Sequence, residues 1–137
     1  MTQWTHNGTI VEAIPSEMVG FVYIITNLIN GRKYIGKKQS IKKITRPPLK
    51  GKSRRRITYS ESDWKDYYGS SEELKQDINT YGKENFSREI LHFCKSKGEL
   101  SYQELIEQVE RRVLERDDYY NGIINVKIHK SHVIRQK

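Results

Sequence analysis

Four absences bound what this chain can be. It carries one cysteine, Cys94, so it has no internal disulfide framework and no thiol cluster for a structural zinc, which fits a reducing compartment. A lone cysteine in that setting is expected to be a small buried residue on a strand. Long apolar runs are missing too: the longest, residues 21–25, is far too short to span a bilayer. The polar N-terminus lacks the apolar region of a secretory signal, so a cytoplasmic location with no membrane partner is expected. No internal repeat is visible, and 137 residues make one domain with a modest core the default.

Acidic residues are the scarcer charge. Twenty-five Lys and Arg stand against seventeen Asp and Glu, a formal net charge of +8. That excess favours a polyanionic partner through attraction and counterion release, with nucleic acid the first candidate. Charge gives the sign of the partner and not its identity.

Residues 1–19 carry little signal beyond a short strand expected within 9–14 and broken by Pro15. Residues 20–26, Gly-Phe-Val-Tyr-Ile-Ile-Thr, are rich in β-branched and aromatic side chains and predict a strand. Asn30-Gly31 then signals a two-residue hairpin, and residues 32–36 form the returning strand. Residues 37–56 are packed with Lys and Arg and contain Pro47-Pro48 and Gly51, so no single regular element fits them. A long basic loop is expected there. Ordered loops of that length are mostly functional, which makes this one a phosphate-contact surface; a merely solvated insertion is the plainer alternative.

A short helix is expected over residues 61–68, followed by a break at Gly69-Ser70-Ser71. Ser71 is placed to cap a helix that opens with Glu72 and Glu73, repeats apolar residues at Leu74, Ile78 and Tyr81, and ends at Gly82. Residues 86–94 suit a third strand. Over residues 101–116, Tyr102, Leu105, Ile106, Val109 and Val113 fall on one face of a second helix and are read as core. Residues 127–137 form a basic tail with His129, His132, Arg135 and Lys137. A solvated tail is expected, with contact to nucleic-acid phosphates the alternative, and its histidine pair lacks a third metal ligand.

A two-residue turn at Asn30-Gly31 pairs Ile29 with Arg32, Asn27 with Tyr34 and Ile25 with Gly36. Alternate residues along a strand share a face, so Tyr23, Asn27, Tyr34 and Gly36 lie together. Gly36, lacking a side chain, permits close approach there.

Tyr23, ten intervening residues and then Tyr34-Ile35-Gly36 resemble the signature of the GIY-YIG nuclease family, with Phe21-Val22-Tyr23 in the place of Gly-Ile-Tyr. The likeness continues through Ser70-Ser71, Leu74, Ile78, Tyr81-Gly82, Glu84-Asn85-Phe86 and Glu89-Ile90-Leu91, and closes at Ile124-Asn125. It covers residues 20–126, between an N-terminal segment, 1–19, and the tail. Three motifs in order are far more specific than the first alone.

The resemblance implies a compact α/β (α+β) domain with a three-stranded antiparallel sheet flanked by helices. It also implies hydrolysis of DNA phosphodiesters with one divalent metal, Mg or Mn. The family member would be a homing-type or phage-encoded endonuclease in a bacterial or phage-infected cell, acting on double-stranded DNA. Double-strand cleavage by one site calls for a homodimer or two successive nicks. A catalytically idle nucleic-acid-binding module and a structure-specific repair-type nuclease are the alternatives.

On this resemblance Tyr23 activates the attacking water, positions the group that activates it, or is itself the nucleophile, with Tyr34 beside it. A phenol with a pKa of about 10 needs a nearby cation to ionise. The family's arginine, commonly followed four residues on by Tyr or His, maps to Arg55 with Tyr59, with Arg54, Arg56 and Arg46 as substitutes. A second alignment places Trp64 and Tyr67 on an Arg-Trp-x-x-His pattern, where Asp63 replaces the arginine. The metal-binding glutamate maps to Glu110, followed by Val113 and Leu114. Helix geometry agrees, setting Glu110 on the rim of the apolar stripe and the alternate, Glu107, further towards solvent. Asn125 is expected to brace the site. Lys33 resembles a lysine of some members, although strand parity sets it on the other face. Lys37, Lys38, Lys42, Lys43, Arg46, Lys50 and Lys52 are the expected DNA contacts.

Overall fold

Residues 2–133 are described by a computed structural model. The first strands come earlier than expected. β1 (Trp4–His6) and β2 (Thr9–Ile10) form a hairpin whose two turn residues, Asn7 and Gly8, both take positive φ, at 51° and 82°. That is the turn geometry the Asn-Gly pair favours.

β3 (Gly20–Asn27) and β4 (Lys33–Gln39) pair antiparallel, with Tyr23 opposite Gly36 and Ile25 opposite Tyr34. The expected register is off by two residues because the connection has four residues rather than two. The Asn27 carboxamide accepts the Ile29 N–H at 2.9 Å and Asn27 N–H donates to the Arg32 carbonyl at 2.8 Å, closing a wider loop. A slip of two preserves parity, so Tyr23, Asn27, Tyr34 and Gly36 still share a face.

The basic stretch is a protruding ribbon rather than a loop. β5 (Ile41–Arg46) and β6 (Arg56–Glu61) pair from Ile41 opposite Glu61 out to Arg46 opposite Arg56, as a separate two-stranded sheet. Pro47-Pro48 and Gly51 lie in the turn. Ser40 N–H bonds the Val19 carbonyl and its own carbonyl accepts Ser62 N–H, so the base of the ribbon is anchored where β4 ends.

The helix expected over 61–68 shrinks to a 3₁₀ turn, Trp64–Asp66. α1 (Glu72–Tyr81) starts at the Ser71 cap as predicted, and β7 (Phe86–Cys94) returns through the middle of the sheet. α2 (Lys97–Glu110) begins earlier than its apolar stripe implied, because Ser96 caps it by accepting Glu99 N–H at 3.0 Å. It also ends earlier: Arg112 takes a left-handed φ of 53°, which carries Val113 into a separate 3₁₀ turn. The sheet order is β2-β1-β7-β3-β4, with β1 parallel to β7 and the other pairs antiparallel. The expected three antiparallel strands are present as β7-β3-β4, within a five-stranded mixed sheet.

Side chains of β3 are buried on both faces. On one, Phe21, Tyr23 and Ile25 pack with Trp4, Trp64, Phe86 and Leu74 and Ile78 of α1; on the other, Val22 and Ile24 pack with Ile35, Cys94 and Leu100 of α2. Among the described residues no helix is long and apolar enough to cross a membrane.

Candidate active site

β4 organises the site. Its Tyr34, Gly36 and Lys38 face one way, and Tyr23 from β3 lies beneath Gly36. A Cβ added at Gly36 would sit 2.6 Å from Tyr23 Cζ and 2.9 Å from Tyr34 Cε2, so only glycine admits the Tyr23 ring. The close approach anticipated at Gly36 is thus made by the protein's own tyrosine.

Tyr23 is fully buried, its ring 6.2 Å from that of Tyr34 and 6.0 Å, edge-on, from that of Tyr67. Burial, then the neighbouring Tyr67 and Tyr34 phenols, push its hydroxyl well above the ordinary tyrosine range. At neutral pH it is a neutral hydrogen-bonding group. Tyr34 is also raised by burial, although its contact with Ser70 Oγ at 3.0 Å pulls the other way. It borders a cavity of about 360 Å³ with Ser70, Ser71, Glu104, Gln108 and Asn121.

The carboxylate brought to the tyrosines is Glu104. β4 is an edge strand, and α2 packs against it. The outward N–H groups of this edge are answered in turn: Lys33 donates to the Asp118 carbonyl at 2.8 Å, Ile35 to Asn121 Oδ1 at 3.0 Å, and Lys37 faces Glu104. Burial raises the Glu104 carboxyl, with the Lys37 ammonium and backbone N–H partly offsetting it. A half-buried carboxylate beside Tyr, Ser, Gln and Asn oxygens is the hard donor set that Mg or Mn takes when phosphate and water complete the shell. Among the described residues no three His, Cys, Asp or Glu side chains cluster to form a ready-made metal cage.

Glu110, by contrast, is exposed in the last turn of α2, and Glu107 is engaged by His92 and Arg111, each at 2.8 Å. The buried face of α2 runs through Leu100 and Gln108, while Val109 of the expected stripe is 58% exposed. Glu104 lies four residues from each of the two buried positions. The Ser96 cap was the local signal for this earlier helix start.

Arg54 and Arg55 lie in the ribbon's turn, and Arg56 is the first residue of β6, paired with Arg46 at the ribbon's tip. Five ladder positions, roughly 17 Å at the strand rise, separate Arg56 from the ribbon's base. They and Tyr59, which is 64% exposed, lie outside the tyrosine site, as do Lys42, Lys43, Arg46, Lys50 and Lys52 of the ribbon. Lys33 faces the other side, its Nζ donating to the Gly31 carbonyl at 3.0 Å. Asn125 borders the Tyr34 cavity but is exposed. The bracing amide is Asn121, which also donates to the Ile35 carbonyl at 2.8 Å.

The second alignment describes the packing better: Trp64 is buried in the core and Tyr67 stands against Tyr23. Two arginines missed in the sequence are structural. Arg88, buried, donates to the carbonyls of Lys65 and Tyr67 at 2.9 and 2.8 Å, fixing the turn that carries Tyr67. Arg32 lies 4.1 Å above the Tyr120 ring and pairs with Glu73.

Comparison with known proteins adds an independent line. A family model described as "Putative endonuclease segE, GIY-YIG domain" matches residues 4–124. Two proteins of Enterobacteria phage T4 are similar: "Putative endonuclease segE", 37% identical over 106 residues, and "Putative endonuclease segD", 33% identical over 108. These alignments take in 76% and 79% of this chain but only 40% and 39% of the relatives, so the chain spans about two fifths of their length. No solved structure matches. With its two tyrosines on one face and a family match over most of its length, the chain belongs to the GIY-YIG nuclease family.

Proposed function

We propose that this domain is a metal-dependent endonuclease of double-stranded DNA, of the phage-encoded, homing type. The observation that carries this reading is the convergence of Tyr34, Glu104 and Asn121 on one cavity over the buried Tyr23. A divalent ion held by Glu104 would supply charge neutralisation at the phosphate as negative charge builds there. Tyr34, whose hydroxyl lies beside the cavity, holds the attacking water. Tyr23 remains protonated and fixes the position of Tyr34 and the β4 backbone. Asn121 keeps the outer edge of β4 in place by bonding both polar groups of Ile35.

The ribbon supplies affinity. Residues 41–60 contain eight Lys and Arg and no Asp or Glu. A two-stranded ribbon fits the major groove of B-DNA, and its cations meet the phosphates. The longer T4 relatives carry the name "Putative endonuclease", which supports the same reading. The test is nicking of supercoiled plasmid with Mg, with Mn and with EDTA, on wild type and Tyr34→Phe. Metal-dependent nicking is expected for wild type, reduced at least tenfold by the substitution, on the usual size of acid–base contributions. Salt-sensitive DNA binding with no cleavage under either metal would leave an idle binding module instead.

A further inference from the structure

Beyond Tyr34 along β4, a second cavity of about 800 Å³ is bordered by Lys37, Lys38, Lys42, Lys97, Ser101 and Asp63. Four lysines border one space with a single acidic residue, Asp63, among its walls. Like charges gathered in this way repel one another until an anion enters. The N-terminal end of α2 contributes Lys97 from its first residue and Ser101 one turn on, adding its positive helix end to the same space. Lys37 Nζ donates to Ser101 Oγ at 2.7 Å, which holds one ammonium at the cavity wall.

Lys38 is the anomaly. Its side chain is only 19% exposed, its Nζ lies 4.2 Å above the Tyr67 ring, and Asp63 Oδ1 sits 2.6 Å from that Nζ. Among the described residues it is the one lysine of the four paired to a carboxylate. Asp63 itself is 73% exposed, so an acid reaching in from the surface covers a lysine that is largely buried.

We infer that this cavity is a seat for a backbone phosphate of the bound DNA strand, and that Asp63 is a placeholder on Lys38 which the phosphate displaces. The geometry also gives the strand a path. Lys42 lies at the base of the ribbon, Lys38 and Lys37 follow back along β4, and Tyr34 lies beyond them. A strand gripped by the ribbon passes the lysine seat before it reaches the tyrosine cavity. The Lys38–Asp63 pair then favours occupants that offer a phosphate where Asp63 offers a carboxylate. This inference rests on the reading of DNA as partner but not on catalysis.

The test is therefore binding of a short fluorescent DNA duplex in EDTA, followed over a salt series. Lys38→Met and Lys97→Met are each expected to flatten the slope of log affinity against log salt by about 0.9, the signature of one phosphate left unneutralised. Asp63→Asn is expected to tighten binding by about threefold to fivefold, the scale of a partly exposed ion pair. The decisive comparison is Asp63→Asn placed on Lys38→Met: if Asp63 competes for Lys38, the gain disappears. An equal gain with and without Lys38 would mean that Asp63 acts only as a diffuse negative charge and would overturn the placeholder. Unchanged binding by both lysine variants, with wild type binding normally, overturns the seat and leaves the nuclease reading standing. Wild type that binds no DNA overturns both. Thermal melting of Lys38→Met, and of the charge-swapped Lys38→Asp/Asp63→Lys protein, monitors folding. The swapped protein is expected to melt close to wild type and to bind DNA as poorly as Lys38→Met. Wild-type affinity in the swap would make the pair purely structural.

Discussion

Tyr23 is fully buried, with neighbouring phenols against its ring, whereas the ribbon's β5 and β6 strands have no buried residue and eight cations occupy residues 41–60. The two regions begin within a few residues of each other on β4, yet they work by different physics. The tyrosine site depends on close packing and desolvation, so a single methyl group disturbs it. On the proposed reading, DNA binding by the ribbon would rest on summed charge, so each substitution would have a small effect and salt would modulate all of them.

The largest expected effect lies at the packed region. Gly36→Ala places a methyl group against the Tyr23 ring and is expected to cost about 3 kcal/mol, the upper end of overpacking penalties, together with loss of cleavage. Urea denaturation checks the first and plasmid nicking the second. A wild-type midpoint would mean that Tyr23 swings aside freely and the packed description is wrong.

The ribbon is expected to respond more softly. Replacing Arg54, Arg55 and Arg56 together by Ala should weaken DNA binding and flatten its salt slope by about 0.9 for each phosphate no longer neutralised, while thermal stability stays near wild type. If this triple variant instead binds normally but fails to cut, the arginines serve the chemistry and the division between the two regions collapses.

A smaller effect follows from the buried phenol. Because the folded-state pKa of Tyr23 lies above its unfolded value near 10, the fold keeps this proton where the unfolded chain releases it. Stability from this group is complete below about pH 10 and declines as pH rises through the folded value. Denaturant titrations across the alkaline range should show wild type losing stability more steeply than Tyr23→Phe. Parallel curves would mean that the phenol is hydrated in the folded protein.

The same contrast explains what was legible in the sequence. α1 and β7 were readable because their signals are local: the Ser71 cap, the Gly82 stop and a run of strand formers. The shared tyrosine face survived a wrong register because the carboxamide of Asn27 widened the turn by two residues, an even number. The Asn-Gly pair that does make a two-residue turn, Asn7-Gly8, sits in a segment with little other strand signal.

The ribbon's charge was plain, but β5 was masked by the lysines between Ile41 and Ile44, and β6, with Ile57 and Tyr59, lay beyond the Pro47-Pro48 and Gly51 breaks, so it read as a loop. The carboxylate that lies near the tyrosines, Glu104, is not the expected Glu110, for a tertiary reason. α2 turns its Leu100–Gln108 face to the sheet although a more apolar stripe is available, and the break at Arg112 removes Val113 from the helix on which the Glu110 argument stood. Which acid faces the tyrosines is decided by packing against the edge of β4.

That assignment is central, and one comparison tests it directly: single-turnover cleavage with Mg by Glu104→Ala beside Glu110→Ala. Glu104→Ala is expected to lose at least a hundredfold in rate while folding normally, and Glu110→Ala to stay within a few fold of wild type. The reverse order, an inactive Glu110→Ala and an active Glu104→Ala, would contradict the site described above.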